Sequence, residues 1–215
     1  MKRLILTMTA AAALALCTLP VLSLADAHGG LFTPRHGLLQ EDDGAAEWLK
    51  AHAPGEPHKM LTGYAGKWDT VITLIFQPGA EPVIVKSEAE IKSGFGGRFW
   101  NESYNMKEGP IPHEGSIYIG YDNMKKKYQF VQITSMDTGL KLFEGDFDAK
   151  EKKLTLECKY AMEYGGMKIN TRQRNIYHFE SADKFTMTVM SHYEGFPDMP
   201  EEGVKEVEIV YTRKK

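Results

Sequence analysis

Cysteine is nearly absent from this sequence: of the two in 215 residues, Cys17 falls in an N-terminal apolar stretch and Cys158 stands alone. Once that stretch is removed, no intrachain disulfide is possible. Excess charge is lacking too, with 26 Lys and Arg against 29 Asp and Glu, a net of −3. That balance excludes the basic surface of a nucleic-acid binder. No apolar run reaches the ~20 residues of a membrane-spanning helix. Gly-x-Ser-x-Gly, His-Glu-x-x-His and a Cys–His signature in context are all missing, so no motif names a reaction. The seven histidines include no i, i+4 or i, i+2 pair that would bring two imidazoles to one ion, and no metal or cofactor is assigned in the folded body.

What is present has the composition of one globular domain: 42% hydrophobic, 11% aromatic and 26% charged residues. Lys2 and Arg3 precede an apolar run from Leu4 to Leu16, followed by Pro20, Ser23 and small residues. This is the pattern of a secretory signal peptide over residues 1–27, cut after Ala27 or after Ala25. The protein is therefore expected to be secreted, into a periplasm, and soluble. Leu16 stands before Cys17 where a lipoprotein signal wants a small residue. Cutting after Ala27 removes Lys2, Arg3 and Asp26, leaving 24 positive and 28 negative side chains, a net of −4. Cutting after Ala25 would instead begin the chain Asp26-Ala27-His28, whose amine, amides and imidazole suit square-planar Cu(II) or Ni(II). Residues 28–57 are rich in Gly and Pro and form a flexible lead, with one short helix expected over Glu41–His52. A second helical turn is expected over His58–Tyr64.

From Trp68 onward the period is two. Strands are expected at Lys67–Phe76, Val83–Lys92, Phe99–Met106, Ser116–Tyr121, Lys127–Ser135, Leu140–Phe147, Lys153–Tyr160, Met167–Phe179, Lys184–Tyr193 and Val204–Thr212. In the clearest, Leu154, Leu156, Cys158 and Tyr160 face one way while Thr155, Glu157 and Lys159 face the other. Short links without long helices make an antiparallel meander, since parallel pairing needs long crossovers. About ten strands favour closure, which removes exposed edges. The expected fold is an all-β, up-and-down antiparallel barrel over residues 58–215 behind a short helical lead. Tyr121-Asp122 before Lys125–Tyr128 echoes Phe147-Asp148 before Lys150–Leu154, as if one hairpin turn were used twice.

Eight segments in order carry a family resemblance: Pro57-His58-Lys59 with Leu61, Ala65-Gly66-Lys67-Trp68-Asp69, Gly96-Gly97-Arg98-Phe99 and Gly120-Tyr121-Asp122-Asn123 with Lys126-Lys127-Tyr128. Ser135-Met136-Asp137-Thr138-Gly139, Glu144-Gly145 with Phe147-Asp148, Lys153-Leu154-Thr155-Leu156 and Tyr211-Thr212-Arg213-Lys214 complete it. Together they resemble the bacterial family known as domain of unknown function 1579, a lipocalin-like group, from about residue 54 to the C-terminus. The resemblance implies a barrel with an internal cavity and a small ligand, and implies no reaction. Phe196–Gly203 departs from the family pattern by making a longer, Pro-rich loop before the last strand.

Gly66-Lys67-Trp68 resembles the Gly-x-Trp that opens lipocalin barrels; Trp68 is expected to close the barrel floor under Arg213 or Arg174, or to touch ligand. Gly94–Gly97 is a tight turn rather than a phosphate loop, because no helix start follows it. Arg98 after it either is solvated or anchors an anionic group. Glu102 shares its face with Trp100 and Tyr104, and a carboxylate among aromatics would have a raised pKa. Which face of Phe99–Met106 points inward stays open. The other carboxylates, Glu206 among them, are expected on the solvated face. His192, beside Met190, is the one candidate for a haem ligand, although Thr70 stands where related barrels place glycine. The candidate binding residues are Trp68, Arg98, Trp100, Glu102, Tyr104, Tyr118, Gln132, Gln173 and His192, with Ser135, Met136 and Thr138 at one rim and Phe196–Met199 as a lid. The expected function is binding of a small, mainly apolar molecule inside the barrel. The alternatives are a barrel enzyme using Glu102 or His192 and a filled barrel serving as a structural or interaction module. Oligomeric state is not fixed by the sequence.

Overall fold

A computed structural model describes residues 43–76, 79–196 and 198–215. The segment expected to be a signal peptide with its two expected cleavage sites, Asp26-Ala27-His28 and most of the expected lead lie outside the described residues. Two short helices, α1 (Asp43–Ala51) and α2 (Glu56–Thr62), precede ten strands. These are β1 (Gly66–Leu74), β2 (Val83–Gly94), β3 (Phe99–Met106), β4 (His113–Asp122), β5 (Lys127–Thr134), β6 (Lys141–Asp148), β7 (Lys153–Tyr164), β8 (Met167–Ser181), β9 (Lys184–Tyr193) and β10 (Val204–Arg213). Each strand pairs antiparallel with the next, and β1 pairs with β10 from Trp68↔Arg213 to Leu74↔Val207, closing the barrel. Closure leaves no terminal strand free among the described residues, although Val83–Glu88 of β2 pair with β1 and not with β3.

Strand pattern and barrel face agree. Along β8, Ile169, Thr171, Gln173, Asn175, Tyr177 and Phe179 are buried while their neighbours are not, the period-two signature of a wall with one inner face. Expected and observed strands differ mainly at their ends. β4 begins at His113 rather than Ser116, because pairing of Met106 with His113 draws three more residues into the ladder. β7 runs on to Tyr164, and the turn after it uses Gly165 and Gly166 at φ of 59° and 78°, the left-handed pair that a tight hairpin requires. The repeated turn is real. Asp122 Oδ1 accepts from the amides of Met124 and Lys125 at 2.8 and 3.0 Å, and Asp148 Oδ1 accepts from those of Lys150 and Glu151 at the same two distances.

The two ends of the barrel are built differently. At the lower end, where β1 begins, Trp68, Trp100, Tyr177, Phe179, Phe185 and Tyr211 pack edge-to-face and stacked, with Phe185 on Tyr211 at 4.2 Å. Fully burying each such ring stabilises by roughly 1.5–3 kcal/mol. Helix α2 covers this end with Leu61, which has no exposed surface. Its first turn is capped by its own histidine: the Gly55 amide donates to His58 Nδ1 at 3.0 Å. Burial holds the His58 pKa below its ordinary value, so the ring stays neutral and able to accept. The upper end holds only a small cluster of Ile72, Val85 and Met106, with Leu74, Val207 and Ile209 against it. By contrast the apolar side chains of α1, Trp48 and Leu49, are exposed.

Arg213 secures the lower seam. Its guanidinium lies 4.4 Å from the Trp68 ring centroid and donates to the carbonyls of Ala65 at 2.8 Å, Gly63 at 3.3 Å and Ala182 at 2.8 and 3.1 Å. Gly66, at φ 147°, lets this cation pass: a Cβ there would sit 2.6 Å from Arg213 Nη1. Of the two arginines the sequence offered for Trp68, the structure uses Arg213. Replacing it, Arg213→Ala, is expected to destabilise the barrel by about 2–3 kcal/mol, from the lost cation–aromatic contact and the stranded carbonyls. Urea unfolding checks this, and Arg213→Lys should recover less than half of the loss, since an ammonium lacks the planar fork.

Candidate functional site

Above the aromatic layer the inner wall leaves a cavity of about 260 Å³. Its walls are mostly aliphatic, with Ile72 from β1, Met106 from β3, Ile117 from β4, Val189 from β9 and Ile209 from β10 among the lining residues. Thr70, Glu102, Tyr104, Gln132 and Tyr211 bring polar groups to it from β1, β3, β5 and β10, and Ser87, Glu88 and His113 add others from β2 and β4. A larger concavity of about 1090 Å³ lies on the outer wall of the first strands, but it is an open trough lined by charges of both signs, including Lys67, Lys86, Glu88, Glu90 and Lys214. Enclosure and apolar walls single out the inner cavity as the candidate site.

Glu102 is the chemical centre of that cavity. Alternation on β3 turns Trp100, Glu102 and Met106 to the interior, which settles the face the sequence left open. The carboxyl is 1% exposed, and its Oε1 accepts a hydrogen bond from the Tyr211 hydroxyl at 2.8 Å. Its Oε2 has no hydrogen-bond partner among the described residues. Burial pushes the Glu102 pKa up to about 7, against the opposing pull of the Tyr211 hydroxyl and, less strongly, the Trp100 indole. The indole N–H itself makes no hydrogen bond of normal geometry. Next to the acid, Tyr104 accepts from Gln132 Nε2 at 3.0 Å. Its ring lies flat over Gly115, where a Cβ would come within 2.4 Å of the hydroxyl oxygen. Glycine there is what allows a tyrosine to lie along the wall.

Four of the candidate residues, Glu102, Tyr104, Gln132 and Met136, line the cavity together. Trp68 and Trp100 lie beneath it, fully buried in the aromatic layer. Gln173 also faces inward, but it is engaged by Tyr160 at 3.0 Å and Asn175 at 2.9 Å away from the cavity wall. Tyr118 and His192 alternate onto the outer face, between the buried Ile117 and Ile119 and beside the buried Ser191. Haem ligation by His192 within the barrel therefore has no geometric basis. Arg98 sits in the lower-end turn, donating to the carbonyls of Phe95 at 3.2 Å and His52 at 3.4 Å. Ser135 caps the backbone amide of Glu114 at 3.1 Å, and Thr138 lies in the exposed loop between β5 and β6. Of the expected lid, Phe196 is exposed and Pro197 is outside the described residues.

Sequence reasoning missed Tyr211, Thr70 and Ile209, although the same alternation that starts at Trp68 would have placed Thr70 on its face. It also misassigned Glu206. A bulge between Lys205 and Val207 breaks the alternation of β10, and Glu206 turns inward to accept from Ser191 Oγ at 2.6 Å and from the Tyr193 hydroxyl. Among the described residues, no group of three or more His, Cys, Asp or Glu side chains is placed to hold a metal ion. Cys158 is a free, half-buried thiol whose pKa burial raises.

The raised pKa of Glu102 has a sign that stability measurements can check. The folded state keeps its proton up to about pH 7, whereas an unfolded glutamate loses it near 4.5, so the stabilisation is complete below about pH 4.5 and is lost as pH rises through 7. His58, with its lowered pKa, acts in the opposite sense below about pH 6.5. Glu102→Gln should therefore remove the loss between about pH 4.5 and 7 and leave the His58 contribution intact. Melting temperatures of the two proteins at matched pH values should diverge steadily across that window.

No curated protein matches the chain. Among the described residues no helix is long and apolar enough to cross a membrane, which says nothing of strands. A family model described as "Protein of unknown function (DUF1579)" matches residues 53–213, a span that takes in α2 and all ten strands of the barrel and its cavity. The chain belongs to the DUF1579 family.

Proposed function

We propose that this protein is a secreted binding protein that holds one small, mainly apolar molecule in the upper half of its barrel. The observation that carries the reading is the mainly aliphatic cavity of about 260 Å³, open at its upper mouth, above a fully packed aromatic floor. Ligand pockets commonly measure roughly 300–1,000 Å³, so the occupant is small. A core of this size that is packed at one end and left open at the other is better explained by a ligand than by stability, because filling the space would add contacts.

The rim supports the same reading. Four of the upper loops expose a large apolar side chain, Phe76, Ile111, Met136 and Phe196, and Met167 is exposed at the start of β8 beside the remaining turn. Three of these, Phe76, Ile111 and Met136, also line the cavity mouth. A second feature bears on access. β2 pairs with β3 only from Ala89↔Tyr104 to Gly94↔Phe99, so the backbone of Val83–Glu88 pairs with β1 alone, Ser87 Oγ reaching the Asn105 carbonyl at 3.3 Å, and the wall is thin where Ser87, Ala89 and Tyr104 border both the cavity and the outer trough.

The test is to fill the space. N-phenyl-1-naphthylamine, an apolar fluorophore, is expected to brighten on binding the native protein, with affinity lowered at least tenfold in the double variant Ile72→Phe, Val207→Phe. Circular dichroism and melting temperature of the variant should remain native-like, since the added rings occupy vacant volume. Equal binding by a folded filled variant would show that the dye sits elsewhere and would refute the cavity as the site.

A further inference from the structure

We propose that the ligand presents a neutral carbonyl oxygen, of a ketone, aldehyde, ester or amide, which the Glu102 carboxyl and the Tyr104 hydroxyl grip as a pair of donors. This rests on the reading of the cavity as a ligand site and names the chemistry that site selects.

The hydrogen-bond inventory at the cavity floor leads to this class. Tyr211 donates to Glu102 Oε1, so that oxygen is an acceptor, and a proton on the acid resides on Oε2. Oε2 is buried, has no partner among the described residues, and belongs to a side chain that lines the cavity. Tyr104 accepts from Gln132, which leaves its own O–H uncommitted. Behind the floor, the Tyr177 hydroxyl is a further buried group without a partner, and the Trp100 indole N–H makes no hydrogen bond of normal geometry, interacting only weakly with the Glu102 carboxyl. The uncommitted groups of Glu102 and Tyr104 on the cavity lining, Oε2 of the protonated acid and the phenol O–H, thus form a surplus of two donors. A ligand that brought only N–H groups would add to the surplus, whereas a carbonyl oxygen, with two lone pairs, receives two donors at once.

Charge points the same way. The cavity lining contains no Lys or Arg, and its one histidine, His113, is engaged with the Ile111 carbonyl, so no Lys or Arg would stand opposite an ionised Glu102 or an anionic ligand. Burial favours the neutral acid, with a pKa pushed to about 7. The groups that face Glu102 do not alter this. Beside it stand the Tyr104 hydroxyl on β3 and the phenols of Tyr177 on β8 and Tyr211 on β10, the last two with pKa values that burial raises well above the ordinary range. Neighbouring β2 and β4 present the apolar Ala89, Ile91 and Ile117. Farther along the lining, Glu88 is paired with Lys214, and His113 Nδ1 lies 2.9 Å from the Ile111 carbonyl. Binding a carbonyl therefore requires the protonated acid, and affinity should fall about tenfold per unit once pH exceeds the Glu102 pKa.

Three near-isosteric probes separate the possibilities on the unaltered protein by isothermal titration calorimetry at pH 5.5 and 8.5: 2-acetylnaphthalene, 2-ethylnaphthalene and 1-(2-naphthyl)ethylamine. The ketone is expected to bind about tenfold more tightly than the ethyl compound at pH 5.5, and to lose that advantage at pH 8.5. Glu102→Gln, which retains an N–H donor, should keep the ketone preference at both pH values, and Tyr104→Phe should reduce it severalfold. Equal affinity for ketone and hydrocarbon at pH 5.5 would overturn the donor pair while leaving an apolar cavity in place. An amine that binds best, and better as pH rises, would overturn it in favour of a cation held by ionised Glu102. Failure of all three probes to bind would overturn the cavity reading itself.

Discussion

Arg213 is the residue on which closure of the barrel turns. A ten-stranded meander has two free edges until β1 and β10 meet, and the register that joins them begins at Trp68↔Arg213. A guanidinium has five N–H donors and no acceptor, and here it spends them on the carbonyls of Gly63, Ala65 and Ala182 while stacking on the Trp68 indole. One side chain therefore joins the segment after α2, the start of β1, the turn between β8 and β9 and the end of β10. The aromatic layer assembles directly above this point, with Trp68, Phe185 and Tyr211 in mutual contact.

That firm lower end has a consequence for the upper one. Because α2 and six buried aromatic rings fill the base, the remaining interior is confined to the half of the barrel farthest from Arg213. Tyr211 marks the boundary: its ring belongs to the aromatic stack and its hydroxyl holds Glu102 at the cavity floor. A carboxyl in such a place would be costly as an anion, and the surroundings keep it mostly neutral at the lower end of the physiological range. The chemistry available to the cavity thus follows from packing decided on β10, three strands away around the wall. The polar cluster of Ser191, Tyr193 and Glu206 is a separate inner network, created by the β10 bulge and satisfied by its own members.

The amino-acid sequence by itself determined the strands and their order, since period-two alternation between Gly, Pro and Asx turns is a local property that each segment carries alone. It also determined the use of one Asp-led turn twice, and the short span of α2. Composition and spacing likewise named Glu102, Tyr104, Gln132 and Met136 as residues of interest, Glu102 because a carboxylate flanked at i−2 and i+2 by aromatics must share their face. Only the tertiary structure decided which face that was. A strand has two faces by symmetry, and the inner one is chosen by closure, a contact between residues almost 150 positions apart. Closure likewise sent Tyr118 and His192 to the outer wall, brought Tyr211 to Glu102, and left Arg98 in a turn far from the cavity. The bulge that re-aimed Glu206 arises from fitting β10 between β1 and β9, a constraint that no single segment contains.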